Sequence, residues 1–176
     1  MNLTATKIAG VYGVTLEPRG DARGYFARVF DMTRMREVDS KFQIVQINRS
    51  LTQARGTVRG LHYQRAPKAE DKLVQCLQGK IFDVAVDLRP DSPTYRQWVG
   101  RELSAENKEL FLVPKGCAHG FQTLTDDCLV EYFVSEYYAP ETEGGVRWND
   151  PAIGVDWPLA DPFTSEKDAA WPLLER

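Results

Sequence analysis

Ile81-Phe82-Asp83-Val84-Ala85-Val86-Asp87 sets apolar Phe82, Val84 and Val86 against Ile81, Asp83, Ala85 and Asp87 in strict alternation. Side chains two apart share one face of a strand, so this run is a β-strand with an apolar face and a smaller, mixed face carrying two carboxylates. Two readings of the mixed face are open: a solvated exterior, or the lining of a polar lumen. Turn residues bound the strand, Gln78-Gly79-Lys80 before it and Pro90-Asp91-Ser92-Pro93 after it. Working outward, similar short runs occupy residues 42–47, 57–63, 73–77, 98–103, 110–113, 120–124 and 129–135, with Thr125-Asp126-Asp127 separating the last two. A strand about every ten residues, with turns between, predicts a mainly β sandwich or barrel rather than alternating βαβ units.

The remaining segments are few. Asp31 caps a short N-terminal helix whose Met32, Met35 and Val38 fall on one side. Residues 104–108 read as one helical turn or a tight loop. Beyond Trp148 the chain is rich in Pro, Trp and Asp and too apolar to stay in solvent, so this tail is predicted to pack back on the barrel. No repeat or linker divides the sequence, and 176 residues suit one domain, 1–176.

Composition narrows the function classes. Hydrophobic content of 43% and charged content of 27% are those of a globular protein without a membrane span. A net charge of -3 gives no general attraction to nucleic acid or to an anionic membrane. Cys76, Cys117 and Cys128 are odd in number and read as buried free thiols, which points to the cytoplasm.

Histidine is the side chain that titrates nearest neutrality, and the chain holds two. His62 lies in Arg59-Gly60-Leu61-His62-Tyr63-Gln64, as a proton-transfer group or as a hydrogen-bonded structural residue. Alternation puts Arg59 and His62 on opposite faces, so a bulge at Gly60 is required if both meet one ligand. His119 ends a Pro-x-Gly-x-x-His turn, a spacing that delivers a metal ligand in some barrels, but no second cluster of ligand spacing accompanies it, and no metal is expected. Lys72 is either an edge charge or, if it points inward, a cation for an anion developing on a substrate oxygen. Tyr132 is either a core tyrosine or a proton donor. Arg23, among aromatic residues in a turn, suits phosphate and base or merely solvent. On local evidence Asp168 is a surface acid.

Taken together the segments resemble the dTDP-4-dehydrorhamnose 3,5-epimerase family. They are Asp21-Ala22-Arg23-Gly24-Tyr25-Phe26, Gln46-Ile47-Asn48-Arg49-Ser50, Arg59-Gly60-Leu61-His62-Tyr63-Gln64, Lys72-Leu73-Val74-Gln75-Cys76 and residues 79–89 and 103–108. Pro114-Lys115-Gly116-Cys117-Ala118-His119-Gly120-Phe121, Tyr137-Tyr138 and Ser165-Glu166-Lys167-Asp168 complete the set, in order along nearly the whole chain. The resemblance implies a cupin-type jelly-roll β-barrel, a nucleotide-diphosphate sugar as substrate, no metal or other cofactor, and a homodimer in which an N-terminal segment reaches the partner's site. By position it implies His62 as base, Asp168 as the carboxylate that orients it, Lys72 at the enolate and Tyr132 as acid. Arg23, Phe26, Gln46, Asn48, Arg59, His119 and Tyr138 fall where the family binds nucleotide and sugar, with Asp83 in support. Arg28, Ile47 and Phe133 depart from the family's usual residues.

The residue types match that chemistry in their own right. A 4-keto sugar has acidified hydrogens at C3 and C5, and inverting such a centre needs a base on one face, an acid on the other and a cation at the oxygen. No Gly-rich dinucleotide fingerprint is present, and the reaction needs no redox partner. The alternatives are a mono-epimerase, acting at C3 or C5 only on a nucleotide with thymine or another base, and a sugar-nucleotide-binding cupin without turnover.

Overall fold

Residues 1–174 are described by a computed structural model. In chain order its elements are β1 (Asn2–Ala5), β2 (Tyr12–Thr15), β3 (Arg19–Asp21), β4 (Gly24–Phe26), α1 (Met32–Val38), β5 (Gln46–Thr52), β6 (Val58–Gln64) and β7 (Lys72–Gln78). They continue with β8 (Lys80–Asp87), β9 (Trp98–Ser104), β10 (Glu109–Val113), β11 (Cys117–Thr123), β12 (Cys128–Val134), β13 (Glu143–Gly145) and α2 (Glu166–Ala169). A six-stranded sheet, ordered β1-β2-β10-β7-β12-β5, faces a five-stranded sheet, β13-β6-β11-β8-β9, and β3 and β4 form a separate hairpin. The named strands pair antiparallel throughout. This is the jelly roll that the family resemblance implied, within the mainly β sandwich or barrel class expected from the cadence of short strands.

Alternation along β8 decides the inside. Ile81 and Ala85 pack between the sheets with Val74, Cys76, Phe111, Val130 and Phe121. Asp83 therefore points inward, and the lumen reading of the mixed face is the correct one. Phe82, Val84 and Val86 point outward but are not solvated. The tail covers them through Ile153, Val155 and Trp157, as the composition of that segment predicted. On the other flank, α1 and the first residues cover the outer face of the six-stranded sheet, where Met35 meets Leu73, Leu110 and Phe133. Each such fully buried side chain contributes roughly 1.5–3 kcal/mol.

Three local expectations need correction or refinement. Residues 42–45 are not strand: β5 begins at Gln46, and Phe42 instead joins the α1 cluster. The hairpin β3–β4 and the strands β1, β2 and β13 lack a long apolar alternation and were not anticipated. Residues 104–108 form a tight turn closed by reciprocal bonds, Ser104 N to Asn107 Oδ1 and Asn107 N to Ser104 Oγ, each 3.0 Å. The helix α1 forms as expected, with Asp31 accepting from Thr33 N at 3.0 Å. All three cysteines are buried and free, and burial pushes the Cys76 and Cys117 thiols up to about 12, which makes them poor nucleophiles.

Candidate active site

The inner faces of the two sheets supply opposite walls of one space. On β12, Tyr132 lies opposite Asn48 of β5 and Val74 of β7, and Val134 opposite Gln46 and Lys72. Tyr132 and Lys72 are thus diagonal neighbours on one face, about 7–8 Å apart at the backbone. On the other sheet His62 of β6 lies opposite His119 of β11, and His119 opposite Ala85 of β8. The alternation that points Asp83 and Ala85 inward therefore points both histidines inward.

The bulge required at Gly60 is present. Between the pairs His119↔His62 and Phe121↔Arg59, β6 uses one residue more than β11, so Arg59 and His62 come to the same side. Gly60 has φ +127, and a Cβ there would stand 2.7 Å from Gly120 Cα and 2.9 Å from His119 O. Only glycine suits that backbone and that approach. Arg59 is braced by Nε donating to Thr52 Oγ1 at 2.8 Å.

His62 meets a carboxylate from the tail. Nε2 of His62 lies 2.6 Å from Oδ1 of Asp168, whose Oδ2 accepts from Gly60 N at 3.2 Å. Ser165 caps α2 by accepting from Asp168 N at 3.1 Å, which fixes the acid. Burial pushes the Asp168 carboxyl up, but the hydrogen bond and charge of His62 and the Gly60 amide outweigh it and hold it below the usual carboxylate range. An ionised carboxylate can only accept, so Nε2 is the donor, and in the neutral imidazole Nδ1 keeps the lone pair. His119 has its own acid: Nε2 lies 2.9 Å from Oδ1 of Asp83, which is fully buried. Burial dominates there and raises the Asp83 carboxyl above its ordinary value, despite His119 and Lys72.

A cavity of about 410 Å³ is lined by His62, Lys72, Tyr132, Gln46, Asn48 and Tyr138, among others. A second of about 200 Å³ shares His62, Lys72 and Tyr132 and adds Arg59, His119 and Asp168. The two share these three residues, so imidazole, ammonium and phenol line one common space. Burial, then the charge of Glu70, raises the Tyr132 phenol above its ordinary value, which suits a group that must hold its proton until it donates. Among the described residues no group of three or more His, Cys, Asp or Glu is arranged to hold a metal ion.

Arg23 and Phe26 are not brought to this space. Both sit on the β3–β4 hairpin, where the Arg23 side chain is 90% exposed and paired with Asp21, and Phe26 is 70% exposed. Conversely, Glu70 and Glu143 line the larger cavity without having been singled out. Glu143 takes Lys167 Nζ at 2.7 and 2.8 Å and the Tyr138 hydroxyl at 3.3 Å. The signal for Glu70 was its spacing of two from Lys72. Glu143, in a short Gly-rich segment, had none.

The family model described as dTDP-4-dehydrorhamnose 3,5-epimerase matches residues 5–176. The dTDP-4-dehydrorhamnose 3,5-epimerase of Methanothermobacter thermautotrophicus is 46% identical over 97% of this chain and 93% of its own. The crystal structure of the Bacillus anthracis dTDP-4-dehydrorhamnose 3,5-epimerase with TDP and PPi bound superposes with a TM-score of 0.94, at 43% identity, covering 98% of this chain and 99% of that one. That of the Legionella pneumophila dTDP-6-deoxy-D-glucose-3,5-epimerase in complex with dTDP-4-keto-L-rhamnose gives 0.91 at 42% identity, covering 98% and 92%. The fold is a cupin-type jelly roll, and the chain is an isomerase of the class its relatives define. The chain belongs to the dTDP-4-dehydrorhamnose 3,5-epimerase family.

Proposed function

We propose that this chain inverts C3 and C5 of dTDP-4-dehydro-6-deoxy-D-glucose, giving dTDP-4-dehydro-L-rhamnose, with His62, Lys72, Tyr132 and Asp168 as its catalytic group. The observation that carries the reading is that His62, backed by Asp168, shares a cavity with Tyr132 and Lys72. The lone pair on Nδ1 of His62 takes the proton from the carbon beside the ketone, and Asp168 steadies the imidazolium that forms. The electron pair moves onto the C4 oxygen as an enolate, which the Lys72 ammonium stabilises. Tyr132 returns a proton to the carbon from the opposite face, completing the inversion. A positioned acid or base contributes about 10²–10⁴-fold, and a fixed cation at the oxyanion about as much.

Gln46, Asn48, Arg59, His119 and Tyr138 hold the sugar and the diphosphate, with Asp83 setting His119. Arg23 and Phe26 act on the nucleotide of a second copy: a homodimer would carry the exposed hairpin to the partner's cavity. The exposed Ile47 and Leu51 on the edge strand β5 support such pairing. The buried free thiols agree with a cytoplasmic setting.

Incubation with the substrate in D₂O, followed by NMR, tests the reading. Label and inversion at both C3 and C5 are expected. Label and inversion at one carbon would make the chain a mono-epimerase, and saturable binding without label would make it a binding protein.

A further inference from the structure

Two carboxylates in the cavity, Glu70 and Glu143, are unused by that mechanism, and Glu143 is tied to Lys167. Glu70 lies two residues before Lys72, which opens β7, and its Oε1 lies 3.2 Å from Lys72 Nζ, the two side chains being 11% and 13% exposed. Its Oε2 accepts from Gln64 Nε2 at 3.4 Å, and both acid and ammonium line the cavity with His62 and Tyr132. The backbone beside it is fixed. Asp71 N donates to Ser135 Oγ at 2.7 Å, and the Asp71 carboxylate accepts from Lys115 N at 2.9 Å and from Ser135 Oγ at 3.0 Å. Glu70 is therefore held in place rather than free to swing into solvent.

A carboxylate where an enolate must form opposes the reaction by direct repulsion. Its presence is consistent with catalysis only if it acts through its neighbours. We propose that Glu70 is a positioning residue of the epimerase, which aims the Lys72 ammonium at the sugar's C4 oxygen and sets a fixed negative charge in the cavity that the Tyr132 phenol lines. This rests on the function proposed above.

The charges around the phenol single out Glu70. Tyr132 is faced by Arg59 and His62 from β6, Lys72 from β7, His119 from β11 and Asp168 from α2. Glu143 from β13 and Tyr138 line the larger cavity with it. Asp168 is bonded to His62, Asp83 to His119 and Glu143 to Lys167. After burial, the charge that most raises the phenol is that of Glu70, and Arg59 pulls the other way.

The test compares wild type, Glu70→Gln and Glu70→Asp in D₂O across neutral to alkaline pH. Glu70→Gln keeps shape and hydrogen bonding but loses charge. Its kcat is expected to fall with KM little changed, and the alkaline limb of kcat to move about one pH unit lower, the effect of one charge at cavity range. Glu70→Asp should restore the limb. The phenolate absorbance, taken as the difference from the same protein carrying Tyr132→Phe, should show the same lowering in Glu70→Gln whether or not that variant turns over. Unmoved limbs and an unmoved phenolate midpoint in Glu70→Gln, or a loss confined to KM, overturn the proposal alone. Absence of exchange in the wild type overturns the epimerase reading and this proposal with it.

Discussion

His62 and Asp168 stand 2.6 Å apart although 106 positions separate them in the chain. The barrel wall supplies the imidazole and the tail supplies the acid. Because the carboxylate accepts from Nε2, an amide at this position, whose nitrogen can only donate, would favour the wrong tautomer. Asp168→Asn is expected to lower kcat by about 10²–10⁴-fold with little change in KM. His62→Ala should abolish deuterium exchange at both carbons. Exchange by Asp168→Asn within about tenfold of wild type would remove the tail's carboxylate from the proposed base.

Tyr132→Phe separates the two halves of the reaction. Proton loss to His62 and stabilisation by Lys72 remain, so solvent deuterium should still enter at the carbon, returned from the side it left. Inversion should be strongly impaired. The ratio of label incorporated to product formed measures this, and full inversion by the variant would assign the donor elsewhere.

Gly60→Ala and Gly56→Ala make a controlled pair. Both glycines have positive φ, +127 and +83, but a Cβ at Gly56 meets nothing within 4 Å. Gly56→Ala should cost about 1 kcal/mol for its backbone alone. Gly60→Ala adds the collision with Gly120 and His119 O and should cost about 1–3 kcal/mol more. Equal denaturation midpoints for the two would contradict the close approach of β6 and β11.

Asp87 ties stability to acid pH. Its buried carboxylate accepts from Arg89 Nε and Nη2 at 2.8 Å each, from Ser92 Oγ at 2.5 Å and from Thr94 Oγ1 at 2.7 Å. Burial pushes this carboxyl up, but those bonds outweigh it and hold it well below the usual range. With the folded value below the unfolded one, the stabilisation is complete above about pH 4 and is lost as pH falls through the folded value. Asp87→Asn should cost about 2–3 kcal/mol at neutral pH, less than for a fully buried pair because Arg89 is 31% exposed. It should also flatten the loss of stability on acidification, read from urea midpoints between neutral and acid pH.

What was legible in the sequence follows from range. The alternation in β8 is local and marked a strand with Asp83 on its mixed face. Only the packing of Ile81 and Ala85 between the sheets decided that this face is the inner one. The β class came from the cadence of strands along the chain. The need for a bulge at Gly60 was likewise a matter of counting by twos. Phe42 was misread because an apolar residue packed on a helix and one in a strand look alike over four positions. Asp168 reads locally as a surface acid, and only the packing of the tail makes it a partner of His62. Its pairing with His62 was accessible through the family pattern, not through its own neighbours. Glu143 and Lys167 meet each other across the fold, and no spacing announces that.

The tail has a consequence for how the protein fails. Asp168 reaches His62 only while residues beyond Trp148 stay docked on the outside of β8, where Ile153, Val155 and Trp157 meet Phe82, Val84 and Val86. Partial opening of that layer requires far less than dissolving the two-sheet core. Turnover should therefore fade at lower urea than far-ultraviolet circular dichroism does, with the jelly roll outlasting its own chemistry.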